Sequence, residues 1–301
     1  MSLQLTANAG PYSLTKTWYV DGTATDVGAV TIGVTDGNGD TVVASSTATT
    51  NNADGTYTYS LADQTHVDML KATWTRSDTS ADLVDARVEI VGGVLFTEAQ
   101  ARAHDSSAMS NTTTFTDAMI ADERTRITDD LEQWTGRSWI RRYCRAEFAG
   151  TGSRTLYMVD GHPRLADGTR LNRPGRLRDI VQVLSVTVNG TSVSTGNVVV
   201  DGDRLIRTDT AWSSPTASNP LNVVVEWEYG VEPSTNGVDR IGLLLLRDRL
   251  VASAVPDRAL SYSDELGTIR YVQPGGPMNN RTGLPEVNAW VQGNDVRFPV
   301  G

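Results

Sequence analysis

From Ser13 to Ile90 apolar and polar residues alternate with a period of two. TKTWYV, AVTIGVTDGNGDTVV, GTYTYSL, LKATWTR and VDARVEIV are separated by clusters of Gly, Asn and Asp. Successive side chains of a strand point to opposite faces, so this alternation predicts half-buried strands. DGNGD (Asp36 to Asp40) places residues that tolerate positive φ between two such runs and predicts a tight hairpin. Short strands following one another this closely predict a small all-β sandwich of immunoglobulin-like type over residues 1–92. Trp18, Tyr57, Tyr59 and Trp74 are expected at its core or rim. The alternative is a β-sandwich binding module of a phage or bacterial protein, its rings forming a platform for carbohydrate or a cell surface.

After Gly92-Gly93 the period changes, which predicts a boundary. FTEAQARAH reads as a short helix over about 97–104, capped by Thr97. Thr114 followed by Asp117 resembles a capping box opening a helix over about 115–135. In it Ile120, Ile127, Leu131 and Trp134 lie on one face, and Asp122, Glu123, Arg124, Arg126, Asp129 and Asp130 on the other. Gly136 suits the left-handed residue that closes a helix. Strands are expected between 139 and 230, with hairpin turns at Asn189-Gly190 and Asp201-Gly202. A third helix, about 237–254, has Asn236 as cap with Asp239 three residues on, and carries Ile241, Leu244, Leu245 and Val251 up to Pro256. Residues 257–301 hold four prolines and little helical period, so an extended interaction tail is expected; its Tyr271, Leu284, Val287, Trp290 and Phe298 are too apolar for a solvated tether.

These elements predict an α+β chain of two domains, an all-β one at 1–92 and a core of helices plus antiparallel hairpins at 93–256, with the tail beyond. A length of 301 residues suits two cores. The opening MSLQLTANAG lacks the basic and apolar regions of a signal peptide, and the apolar run Ile241 to Leu246 meets Arg247 too soon to span a bilayer, so neither secretion nor membrane insertion is expected. Cys144 is the only cysteine, which rules out an internal disulfide. The net charge of −10 argues against general nucleic-acid affinity. That charge is uneven: residues 1–92 hold 4 basic against 11 acidic side chains, and Lys occurs only at Lys16 and Lys71. Arg elsewhere suits fixed, forked contacts, although a GC-rich genome would give the same bias.

No constellation of catalytic residues appears. His66, His104 and His162 sit apart, Cys144 has no neighbouring His, and there is no G-x-S-x-G, P-loop or G-x-G-x-x-G. The chain is therefore not expected to be an enzyme or to carry a cofactor or metal; an unrecognised carboxylate pair of a hydrolase is the competing possibility. Two arginine groups stand out: Arg137, Arg141, Arg142 and Arg145 beside Trp139, and Arg164, Arg170, Arg173, Arg176 and Arg178 in a Gly/Pro-containing segment. They suit salt bridges within or between subunits, or contact with phosphate.

The string IADERTRITDDLEQWTGRSWIRRYCRAEFAGTGSRTLYM resembles the opening of the head-to-tail connector, or adaptor, proteins of long-tailed bacteriophages. In that family a helix ending in an E-x-x-T/C-G-R phrase is followed by an aromatic, basic residues, an acidic strand and a G-x-G-x-x-x-L-x-L step. Here these are Glu132, Thr135, Gly136, Arg137, Trp139, Arg141, Glu147, Gly150, Gly152 and Leu156. DIVQVLSVTVNG, VVVEWEYGVEP and RTGLPEVNAWV resemble later family phrases in the right order, over about residues 114–296. Trp227 replaces a common tyrosine, Asn288 a common aspartate, and an insertion lies near 161–176. The resemblance implies a virion protein at the head-tail junction, assembled in the host cytoplasm as a ring of about twelve copies beneath the portal protein. Such a ring extends the DNA channel, with double-stranded DNA only as passing cargo, and receives a stopper or tail protein. It further implies a subunit or portal interface at Arg137, Trp139, Arg141, Arg142, Arg145, Tyr271, Leu284, Val287, Trp290 and Phe298. Arg164, Arg170, Arg173, Arg176 and Arg178 become candidates to face the channel. The sandwich at 1–92 lies outside the resemblance; a role in bracing the capsid or a neighbour follows by analogy alone.

Overall fold

The computed structural model describes residues 3–76, 83–105, 109–171, 179–231, 237–251, 261–264, 267–270 and 282–295. The chain is α+β, mostly sheet with four helices among those residues. It forms two compact units, one of residues 1–93 with 141–230, the other of 94–140 with 231–301.

In the first unit the alternating segments are strands β1 (Leu3–Thr6), β2 (Tyr12–Thr17), β3 (Tyr19–Val20), β4 (Thr23–Ala24), β5 (Val30–Thr35), β6 (Thr41–Ala48), β7 (Thr50–Asn51), β8 (Thr56–Leu61), β9 (Asp68–Arg76) and β10 (Leu83–Val91). They pair in the order β1-β10-β9-β5-β6 and, in a second sheet, β2-β8-β7, while β3 and β4 form a small ribbon. Alternate residues of both sheets share one core, including Ile32, Leu70, Trp74 and Ile90 from the first and Leu14 and Tyr57 from the second. The β5–β6 hairpin closes at Asp36 to Asp40, where Asp36 N–H donates to Asp40 O and Gly39 takes φ 91°.

The same unit continues with β11 (Arg142–Phe148), β12 (Thr155–Tyr157), β13 (His162–Pro163), β14 (Ile180–Val188), β15 (Thr191–Ser192), β16 (Val198–Asp201), β17 (Arg204–Arg207) and β18 (Val223–Tyr229). These form a sheet in the order β13-β11-β18-β14-β15 and a smaller one, β12-β17-β16. Cys144, Phe148, Leu205, Trp212, Val225 and Trp227 belong to the core they share. Gly150 has no room for a side chain: a Cβ there would lie 1.8 Å from Ser213 O. This accounts physically for a glycine in the G-T-G phrase.

The division at 93–256 expected from sequence is thus drawn differently. Residues 141–230 group with the N-terminal strands. Val67 and Met69 of the N-terminal half share a hydrophobic cluster with Tyr143 and Leu165, and a Cβ on Gly37 would come 2.5 Å from the Tyr143 ring.

The second unit contains α1 (Glu98–His104), α2 (Asp117–Thr135), α3 (Val238–Leu250), a hairpin of β19 (Ser261–Asp264) with β20 (Gly267–Arg270), and α4 (Pro285–Asn294). Thr97 caps α1 through a reciprocal box with Gln100. At α2 the cap is Thr116, whose side chain accepts from Met119 N–H, not Thr114. Asn236, the expected cap of α3, lies outside the described residues. Ile120, Ile127 and Leu131 of α2 pack with Ile241, Leu245 and Leu246 of α3 and with Val287 and Val291 of α4. Helix α4 corrects the expectation of a tail extended throughout. Pro285 at its first turn is compatible with a helix start, and Val287 and Val291, four residues apart, bring one short face to the core.

Candidate functional site

The phrase after α2 builds a buried corner. Gly136 takes φ 70° and its N–H donates to Glu132 O at 2.9 Å, closing the helix. The Thr135 hydroxyl donates to Leu131 O (2.7 Å) and accepts from Trp139 Nε1 (2.9 Å). The Ser138 hydroxyl lies 2.8 Å from the buried Glu132 Oε1. Trp139, with no exposed surface, meets Trp290 of α4 with ring centroids 4.8 Å apart, and the Arg137 guanidinium lies 5.6 Å from the Trp139 ring.

The closing phrase is knotted onto itself in a comparable way. Asn288 Oδ1 accepts from Thr282 N–H (3.1 Å), Asn288 Nδ2 donates to Thr282 O (2.8 Å), and Leu284 N–H donates to the Thr282 hydroxyl (3.1 Å). An asparagine does here what a carboxylate cannot, since its amide both donates and accepts.

Beyond the corner the chain enters β11, whose arginines find partners within their own unit. Arg142 is fully buried with Nη1 2.7 Å from Glu89 Oε2 of β10. Arg145 stands opposite Glu226 in the β11–β18 register, bonds Glu147 (3.1 Å) and Arg164 O (3.1 Å), and is 7 % exposed. Arg141 is half-exposed and 3.6 Å from Glu228. The Tyr143 hydroxyl donates to Glu226 Oε1 (3.1 Å) and that of Ser185 to Glu226 Oε2 (2.7 Å).

Four residues expected at an intersubunit surface are therefore interior: Trp139, Arg142, Arg145 and Val287. The reason is charge pairing across strands and packing across helices, which satisfy these groups inside the chain. Arg137, Arg141, Leu284 and Trp290 keep partial exposure, while Tyr271 and Phe298 lie outside the described residues. Of the second arginine group, Arg164 bridges to Arg170 in an antiparallel pair. Their loop is tied down by Ala166 N–H to Gly37 O (3.0 Å) and by Asp167 to Arg87. Arg170 is exposed, and Arg173, Arg176 and Arg178 lie outside the described residues. The rings weighed as a carbohydrate platform are mostly core: Trp18, Tyr57 and Trp74 are buried and Tyr59 partly so.

The sequence reading missed the acidic partners Glu89, Glu226, Glu228 and Asp68. A signal existed: in VVVEWEYG the two glutamates fall on one face of the strand, opposite to the tryptophan and tyrosine. Asp68 accepts from Gly37 N–H (3.1 Å) and Met69 N–H (2.6 Å). Burial, aided by the charges of Asp36 and Glu226 and opposed by those two amides, pushes its carboxyl up to about 6. The folded state then binds the proton more tightly than the unfolded chain, so stability should rise as pH falls through about 6 towards the ordinary carboxylate value. Between pH 7 and pH 5 the gain is about 1 kcal/mol. Urea midpoints of the parent and Asp68→Asn at both pH values check this: the gain should be absent in Asp68→Asn, and a gain as large as the parent's would show that another group carries the effect.

Among the described residues no helix is long and apolar enough to cross a membrane. No protein-family model matches the chain, and no curated protein matches it significantly.

Proposed function

We propose that the chain is a head-to-tail adaptor of a long-tailed bacteriophage, a structural protein forming a ring of about twelve copies beneath the portal. In this reading the ring extends the DNA channel and receives a stopper or tail protein. Strands β1 to β10 form an immunoglobulin-like addition that braces a neighbour or the capsid. The observation that carries the reading is the contact of Trp139 with Trp290. The helix-ending phrase and the closing phrase, the two stretches of clearest resemblance, stand about 150 residues apart and meet in one core. Their polar residues are held by bonds that depend on their identities. Motifs scattered by chance have no reason to converge so.

Docking to the portal falls on what remains exposed around that joint. Besides its contact with the Trp139 ring, the Arg137 guanidinium is suited to a carboxylate on a neighbour, with the half-buried Leu284 and Trp290 as apolar contacts. Purified portal rings mixed with the protein and viewed by negative-stain microscopy should acquire an added ring of density. Arg137→Glu should weaken it strongly in a protein whose circular dichroism is unchanged. Portal rings that stay bare with the parent protein would remove the adaptor reading; undiminished decoration by the charge-reversed protein would remove the docking surface only.

A further inference from the structure

Within the first unit the N-terminal strands and the β11–β18 sheet keep separate cores, each with thirteen buried residues, and meet through a cluster of only four, Val67, Met69, Tyr143 and Leu165. A contact so thin opens more readily than either core. It is also polar. Asp68 stands between Val67 and Met69 at the start of β9 and accepts from Gly37 N–H at 3.1 Å. Gly37 O accepts in turn from Ala166 N–H at 3.0 Å, and Gly37 lies against the Tyr143 ring. The tip of the β5–β6 hairpin, the loop of residues 163–171 and β11 are thus joined around one carboxyl.

The charges around Asp68 are unbalanced. Asp36 faces it from the hairpin. On β18, Glu226 accepts from the Tyr143 hydroxyl at 3.1 Å and from the Ser185 hydroxyl of β14 at 2.7 Å. Tyr143, Arg145 and Glu147 alternate onto one face of β11. Arg145 Nε is 4.0 Å from Glu226, but its Nη1 is engaged with Glu147 (3.1 Å) and Arg164 O (3.1 Å). Arg164 lies 3.8 Å from the same Glu147, and Glu89 of β10 is held by Arg142. When Asp68 ionises, it joins Asp36, Glu147 and Glu226 against the guanidiniums of Arg145 and Arg164, which adds repulsion at the thin contact. Tyr143 cannot relieve it: burial and the charges of Glu226 and Asp68 push its phenol up, so it stays neutral. A second tie is constant over the same range. Burial raises the Asp167 carboxyl, but bonds from Thr169 and Arg87 hold it down to about 2, so its pairing with Arg87 persists.

We propose that this joint is a proton-operated latch: with Asp68 protonated the β5–β6 hairpin and the 163–171 loop close on Tyr143, and with Asp68 ionised they part while both sheets stay folded. The Asp68 carboxyl sits at about 6 in the closed joint and returns to the ordinary carboxylate range when the joint opens. Closure is therefore fully supported below that ordinary range, and the support is lost as pH rises through about 6. Two exposed imidazoles are the competing operators, His66 two residues before Asp68 and His162 opposite Glu147.

Amide hydrogen exchange of the full chain at pH 7 and pH 5, corrected for intrinsic rates, tests the latch. The Gly37 and Ala166 amides should exchange faster than those of Trp74 and Trp227 in the two cores, and should slow by about tenfold at the lower pH. Asp68→Asn keeps the acceptor without the charge and should hold the slow rate at both pH values. Glu226→Gln removes a facing charge and should lower the midpoint of the response. His66→Gln with His162→Gln should leave the response intact. Gly37 and Ala166 amides as protected as those of Trp74 and Trp227 would mean that the joint opens only when the whole unit unfolds, and would overturn the latch. Rates indifferent to pH, a midpoint unmoved by Glu226→Gln, or a response that vanishes with the histidines would overturn it equally. No portal takes part, so none of these outcomes bears on the adaptor reading.

Discussion

Arg142→Met should destabilise the chain by about 3 to 5 kcal/mol, because it takes a guanidinium away from the fully buried Glu89 carboxylate. Both side chains have no exposed surface, and their 2.7 Å contact ties β10 to β11. Gln4 Nε2 also reaches Glu89 Oε2, at 3.2 Å, but a neutral amide does not neutralise a charge. The penalty belongs to the buried carboxylate that loses this contact, not to any large net worth of the ion pair, since taking two charges out of water nearly cancels their attraction. The double variant Glu89→Leu/Arg142→Met should therefore recover most of what the single change loses. Urea denaturation of the parent, the two single variants and the double variant gives the comparison. A single variant within about 1 kcal/mol of the parent would show that water or another cation reaches Glu89 freely; a double variant as unstable as the singles would move the cost from charge to packing.

Trp139→Ala should be comparably damaging, about 3 to 5 kcal/mol, through loss of a large buried ring and the cavity left behind. The ring meets Trp290, has the Arg137 guanidinium near it and donates to Thr135, so three side chains of the second unit meet at this one. Trp139→Phe retains most of the apolar surface and loses the indole N–H, and should cost less, about 1 to 2 kcal/mol. Near-ultraviolet circular dichroism and thermal melting separate the cases: the Ala variant should lose the coupled tryptophan signal as well as stability. A melting temperature that hardly moves would mean that α4 packs well without this joint, and would weaken the convergence on which the adaptor reading rests.

The two expectations that changed most illustrate where sequence reading ends. The run RSWIRRYCRAEF looks like a docking edge when read alone, because neutralising partners are invisible along the chain. Glu226 and Glu228 lie more than 80 residues from Arg145, and only the β11–β18 register brings them opposite β11. Helix α4 was hidden differently. Its prolines and glycines suggest loop, and a ten-residue helix shows only one apolar repeat, Val287 to Val291; packing against Leu131 and Ile241 in the same core is what gives that repeat meaning.

Local patterns in the chain by themselves determined the period-two strands, the hairpin at Asp36 to Asp40, helices α1, α2 and α3 to within a few residues and the left-handed stop at Gly136. Each depends on neighbours only a few residues apart, through backbone sterics, capping or side-chain periodicity. Tertiary structure alone decided that residues 141–230 join the N-terminal strands and that Arg142 and Arg145 turn inward. Those outcomes depend on strand register and on which charges and volumes meet across the core, and both are properties of distant residues brought together.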